Sequence, residues 1–172
     1  MNVDITEVIL HDHHEQRRMF GMLEEIDPAE TEALEAVWNR LRILLEVHAK
    51  AEEKLFYPRL LKLQKDIIEK ESPDEETEDA IHDHNEIRDA IAGVDPHPVG
   101  SVEWLRAVAE ANEVNSDHMA EEERQGLTDF RRHVDREERH SMAVAFAAFE
   151  AEHAGGIEPH DVDPEEYVEE HE

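Results

Sequence analysis

Apolar residues recur at helical spacing along the chain, and this periodicity restricts the fold more than any other feature. The periodic segments are rich in Leu, Ala, Glu and Arg, which favour helix, and proline or glycine separates them. We predict helices at about residues 4–26, 30–67, 74–92, 101–124 and 127–153. The first four carry apolar stripes of similar length joined by short connections, which predicts an all-α protein built as an up-down-up-down four-helix bundle.

The predicted helices divide the chain into three parts. Residues 1–126 would form the bundle, and residues 127–154 an additional C-terminal helix that caps the bundle or pairs with another subunit. Residues 155–172 are a strongly acidic tail without periodic apolar residues, which we expect to be mobile or loosely docked.

The composition excludes several classes of function. The 172 residues include no cysteine, which excludes disulfides, thiolate zinc sites and iron–sulfur clusters, so any metal must bind nitrogen and oxygen. The formal net charge of -29 disfavours nucleic acids and anionic membranes as partners. Because a secretory pattern and a long apolar run are both missing from the sequence, we expect a cytoplasmic location.

Six polar residues interrupt the apolar stripes. Each bundle helix places one histidine on its predicted buried face, and two of these histidines are followed by a glutamate at i+4, on the same face. The six residues are His13, His48, Glu52, His84, His118 and Glu122. Burying such groups without partners costs on the order of several kcal/mol per charged group. Two metal ions bound by imidazoles and bridged by carboxylates would satisfy all six, and this donor set suits iron, manganese or zinc.

The His-x-x-x-Glu spacing alone is a weak signal, because the chain contains 13 histidines and 46 acidic residues. Three further pairs have this spacing but are predicted to face solvent or to lie off the apolar stripe: His11 with Glu15, His82 with Glu86, and His133 with Glu137. The prediction therefore depends on the motif coinciding with a buried face on four helices. The alternative is that the four histidines are ordinary hydrogen-bonded core residues.

Four segments of the sequence resemble the hemerythrin-like HHE family. They are Asp12-His13 with Arg17 to Phe20, His48 to Pro58, Asp83 to Ile87, and His118 to Glu123. Their order and helix placement are similar to the family over about residues 4–124. The resemblance implies a four-helix bundle that binds two irons, with the six residues above as ligands and with Glu52 and Glu122 as bridging carboxylates.

The resemblance also implies the cofactor and its small-molecule partners. Two iron ions per chain would be bridged by an oxo or hydroxo group, and zinc or manganese could substitute for them. His13 and His48 would serve one iron, and His84 and His118 the other. The family uses such irons with O2, H2O2 or NO, as carriers, sensors, iron-handling proteins or enzymes.

Two departures argue against simple oxygen carriage. Oxygen-carrying hemerythrins have a further histidine one turn from the third-helix histidine, where this chain has Ala80 and Arg88. Their fourth-helix carboxylate is an aspartate at i+5, where this chain has Glu122 at i+4. Each iron would then have roughly five donors and keep an exchangeable position, which favours two-electron chemistry with peroxide.

We therefore predict a catalase-like or peroxidase-like decomposition of peroxide. O2 or NO sensing or binding is a close alternative, and iron storage or buffering without catalysis is another. In a purely structural bundle, the fifth helix would be a dimer face, and the sequence is compatible with a monomer or a homodimer.

Two arginines lie one turn from predicted ligands. Arg17 follows His13 and Arg88 follows His84 on the same helix faces. They could stabilise an anionic peroxide or a bridging carboxylate without binding the metal themselves. Alternatively, they extend along the stripe and pair with surface acids.

Overall fold

The computed structural model describes residues 3–68 and 72–171, and these residues form helices and connections without a β-strand. The α-helices are α1 (Ile5–Glu25), α2 (Thr31–Ala51), α3 (Tyr57–Leu63), α4 (Pro73–Val94), α5 (Val102–Arg124), α6 (Gly126–His133), α7 (Arg136–Glu152) and α8 (Pro164–His171). The all-α helical bundle is confirmed, while the up-down-up-down order stays a prediction. None of the helices described is both long and apolar enough to span a membrane.

Two π-helical segments interrupt the second long helix. They are Glu52–Phe56, between α2 and α3, and Gln64–Ile68, after α3. A π-helical turn has i→i+5 hydrogen bonds and is frequent at functional sites. The first of these segments begins at a predicted ligand, Glu52.

Local signals define where the bundle helices begin. The side chain of Asp4 accepts a hydrogen bond from the backbone N–H of Thr6 and caps α1. The hydroxyl of Ser101 accepts from the backbone N–H of Trp104 and caps α5. Pro73 occupies the first turn of α4, where its missing N–H removes no helical hydrogen bond.

The buried apolar residues form two clusters, and the predicted ligands lie between them along each bundle helix. On α1, His13 stands between Ile9 of one cluster and Met19 of the other. On α4, His84 stands in the same way between Ile81 and Ile87. The bundle therefore holds a polar layer between two apolar clusters.

The predicted single helix at 127–153 is two helices in the structure, so that prediction is wrong in this respect. The chain is extended at Val134, and α6 ends there. The carboxylate of Asp135 then accepts from the backbone N–H groups of Glu137 and Glu138 and caps α7. This local capping starts a new helix where the composition alone favoured a continuous one.

The acidic tail also differs from the expectation of a mobile or loosely docked segment. Helix α8 packs against α4, and its Tyr167 and Val168 are buried. The Tyr167 hydroxyl donates a hydrogen bond to the backbone carbonyl of Glu53. The side chain of Asn85 hydrogen-bonds both backbone groups of Val162, at 2.7 and 3.0 Å. Residue 172 lies outside the described part, and the division of the chain into three parts stays a prediction.

Candidate metal centre

The structure brings all six predicted ligands together in the polar layer. Each is more than nine-tenths buried: His13, His48, Glu52, His84, His118 and Glu122. The other three His-x-x-x-Glu pairs lie elsewhere. The side chains of His11 and His82 are 83% and 63% exposed, and His133 is also exposed. The predicted assignment of buried and solvent faces therefore agrees with the structure.

Glu52 lies between two pairs of histidines. Its Oε1 is 2.9 Å from Nε2 of His48 and 4.0 Å from Nε2 of His13. Its Oε2 is 3.3 Å from Nε2 of His84, which is 3.1 Å from Nε2 of His118. The donor atoms of each pair and of Glu52 lie within 4.8 Å of one another. One carboxylate is thus shared by two groups, each of which could hold a metal ion.

Several donor atoms of this cluster form no hydrogen bond among the described residues, although the contacts above place them close to one another. They are Nε2 of His13 and of His48, both carboxylate oxygens of Glu52, and Oε2 of Glu122. Buried polar atoms without partners are costly, and native proteins rarely retain them without a function. Binding of cations would satisfy all of these atoms, so the residues present fit a metal site with nitrogen and oxygen donors.

A carboxylate lies against the other ring nitrogen of each histidine. The Nδ1 atoms and their partners are His13 with Glu123 at 2.9 Å, His48 with Asp12 at 3.2 Å, His84 with Glu53 at 3.2 Å, and His118 with Asp83 at 3.2 Å. Such outer carboxylates orient the ring of a metal-binding histidine and raise its basicity. Sequence reasoning assigned none of the four a role, although each directly precedes or follows a predicted ligand.

The two arginines bind two of these outer carboxylates. Arg17 donates to Oε1 of Glu123 at 2.8 Å, and the buried guanidinium of Arg88 donates to Oε1 of Glu53. Burial raises the pKa of Glu53, but His84 and then Arg88 oppose burial and lower this pKa to about 2. Each arginine therefore adds to the effect of the histidine, which is the larger one, in keeping the outer carboxylate ionised.

Tyr57 is a residue of the site that the sequence did not single out. Its buried hydroxyl donates to Oε1 of Glu122 at 2.7 Å, and its ring centroid lies 5.6 Å from that of His84. Burial, followed by the charges of Glu122 and Glu52, raises the pKa of Tyr57 well above its ordinary value, so the phenol stays protonated. Oε2 of Glu122 faces His13 at 3.3 Å, and its bridging role stays a proposal.

A family model described as the hemerythrin HHE cation binding domain matches residues 4–127. The chain belongs to this family. Searches among curated proteins and among solved structures found no match to the chain. The family is described as cation-binding. Among the described residues, the buried His/Glu cluster has the donor groups for a cation.

Helix α7 lies beyond the matched HHE domain but contacts the candidate centre. The ring of Phe146 packs edge-on against His48, with ring centroids 5.7 Å apart. Glu150 lies beside Asp12, and burial, followed by the charge of Asp12, raises the pKa of Glu150 to about 8. No pattern in the sequence indicated Glu150.

Proposed function

We propose that the chain binds two iron ions in the His/Glu cluster and uses them to decompose peroxide. The observation that carries this proposal is the position of Glu52, whose two buried, unpartnered oxygens face separate histidine pairs. His13 and His48 would hold one ion, and His84 and His118 the other. Glu52 would bridge them. When bound, two adjacent irons supply two-electron oxidation and reduction.

The residues around the cluster would prepare it for this chemistry. The outer carboxylates accept the Nδ1 protons, so that each Nε2 lone pair points towards the centre. Tyr57 holds one oxygen of Glu122, which can still bind a cation because a carboxylate oxygen has two lone pairs. The apolar clusters on both sides lower the local dielectric constant, which strengthens electrostatic interactions within the layer.

The donor count supports peroxide chemistry over reversible oxygen carriage. The position one turn after His84 is Arg88, whose guanidinium binds Glu53, so it adds no donor to a metal. Each ion would be held by two histidines together with the shared Glu52 and Glu122. These donors would leave both ions with an exchangeable position. Small neutral molecules such as H2O2, O2 and NO would fit so buried a site. Of these, peroxide would use the exchangeable positions of both ions at once.

Metal analysis and peroxide consumption test this proposal together. We expect about two irons per chain, since six donors are too many for one ion that keeps an exchangeable position. Decomposition of peroxide to water and O2 by the iron-loaded protein should then appear at an oxygen electrode as release of O2. One tightly bound metal per chain would contradict the dinuclear site. A colour change under O2 that reverses under vacuum, without any peroxide loss, would favour carriage or sensing, and clearly more than two irons would favour storage.

A further inference from the structure

The candidate centre is built from two similar halves that lie about 70 residues apart in the sequence. His84 follows His13 by 71 positions, while His118 and Glu122 follow His48 and Glu52 by 70. The same offsets relate the outer carboxylates, Asp12 to Asp83 and Glu53 to Glu123, and the arginines, Arg17 to Arg88. Each part of one half can therefore be compared with its counterpart in the other.

The half that contains His48 is covered. Helix α7 packs against α1, α2 and the π-helical segment, and Phe146 contacts the His48 ring. Apolar residues of α1 and α2 lie beneath it, among them Ile5, Val8 and Ala51. This cover closes the His48 side of the centre with packed side chains.

The half that contains His118 has a cavity of about 300 Å³ in its wall, mainly between α4 and α5. Its lining includes Glu75, Asp79 and Glu121, which are exposed, and the buried Tyr57, His118 and Glu122. The cavity therefore extends from the surface to two of the predicted ligands. Glu122 at its inner end is 6% exposed, and its Oε2 has no hydrogen-bond partner.

The two halves differ in charge at matching positions. By the same offsets, Asp79 corresponds to Val8, and Glu121 corresponds to Ala51. These two positions are thus apolar and covered in one half but acidic and cavity-lining in the other. Glu75 corresponds to Asp4, which is also acidic but lies 3.2 Å from Nε of Arg139 on α7. The carboxylates along α4 also act on one another. The pKa of Glu78 is raised, first by desolvation, then by Glu165 of α8, and then by α4 neighbours that include Glu75 and Asp79.

We propose that this cavity is the route by which a divalent first-row metal cation reaches the centre, with Glu75, Asp79 and Glu121 attracting it towards His118 and Glu122. The inference rests on the proposed function, because the His/Glu cluster must bind the metal. Negative charges around a cleft raise the local concentration of cations and speed their arrival. Carboxylate oxygens hold divalent cations more weakly than a mixed imidazole and carboxylate set, so the ion passes inward.

Two matched triple variants test the route. One variant removes the charges of the cavity by Glu75→Gln, Asp79→Asn and Glu121→Gln. The other removes the same number of charges elsewhere on α4 and α5, at exposed residues that line a separate cavity, by Asp89→Asn, Glu103→Gln and Glu110→Gln. In each set one glutamate lies in the first turn of its helix, so effects on the helix dipole are matched.

The measurement is the rate at which metal-free protein binds Co²⁺, followed by its visible absorption in a stopped-flow instrument. We expect the cavity variant to load about tenfold more slowly than the control variant at low ionic strength, with unchanged final stoichiometry. The difference should shrink as salt screens the charges. Loading rates within about twofold of each other, at normal stoichiometry, would overturn the proposed route but not the metal centre. Failure of the unaltered protein to bind Co²⁺ would overturn both the metal centre and the route.

Discussion

At the scale of single residues, His48 and His82 share the same spacing to a glutamate but differ in their surroundings. Nε2 of His48 is buried beside Glu52, and its Nδ1 faces Asp12. The His82 ring is 63% exposed, and its Nε2 lies 3.4 Å from Glu86 at the surface. An exposed imidazole of this kind is free to exchange its partner for water, whereas His48 has no such alternative.

This difference predicts the outcome of two matched substitutions. We expect His48→Ala to lower metal affinity by more than about tenfold, because it removes a ligand, and to abolish the stabilisation that metal gives to the fold. His82→Ala should change neither quantity. Metal stoichiometry by elemental analysis and thermal unfolding with and without metal provide the test. Equal metal loss in both variants would show that the buried cluster is not the binding site.

At the scale of helices, α7 is the element whose contribution to the centre can be separated from the HHE domain. Phe146 is fully buried between the His48 ring and an apolar cluster, while Val144 on the same helix is 55% exposed. Phe146→Ala should destabilise the protein by about 3 kcal/mol, because it leaves a cavity beside the centre. It should also let a chelator extract the metal faster. Val144→Ala is the control, and unchanged extraction by Phe146→Ala would exclude α7 as a cover.

Helix periodicity explains which features of these elements the sequence predicted. The helical period of 3.6 residues per turn places His13 or His84 on the apolar face of its own helix. This does not depend on how the neighbouring helices pack, so the six candidate ligands could be predicted. The outer contacts depend on how helices are rotated against each other. The hydrogen bond from Tyr57 to Glu122 joins residues 65 positions apart, and Glu150 reaches Asp12 from outside the HHE domain. The π-helical segment at Glu52 has no residue signature in the sequence that would predict it.

At the scale of the whole molecule, some buried groups of the metal-free protein bind protons more tightly when folded than when unfolded. Burial lowers the pKa of His84, but Glu52 and Glu53 oppose burial and raise it from 6.5 to about 9. The pKa of Glu150 is raised from 4.5 to about 8, by burial first and then by Asp12. By contrast, the pKa of Glu123 is lowered to about 2, chiefly by its hydrogen bond with His13. The stability that comes from Glu123 is therefore lost only in acid, below about pH 4.5.

These shifts predict that the metal-free protein becomes less stable as the pH rises from about 5.5 to about 9. The contribution of His84 is complete below its unfolded pKa of 6.5 and is lost as the pH rises through about 9. Glu150 acts in the same direction between 4.5 and about 8, because the folded state keeps a proton that the unfolded state releases. Thermal unfolding followed by circular dichroism in the presence of a chelator measures the effect.

Metal loading and one substitution separate the causes of this pH dependence. Bound metal requires neutral imidazoles, so the metal-loaded protein should lose less stability over the same range, and its metal affinity should increase with pH. In the metal-free protein, Glu150→Gln should flatten the part of the curve below about pH 8 and leave the part due to His84. A metal-free protein whose unfolding temperature stays constant or rises between about pH 5.5 and pH 9 would contradict the assignment of buried, protonated histidines.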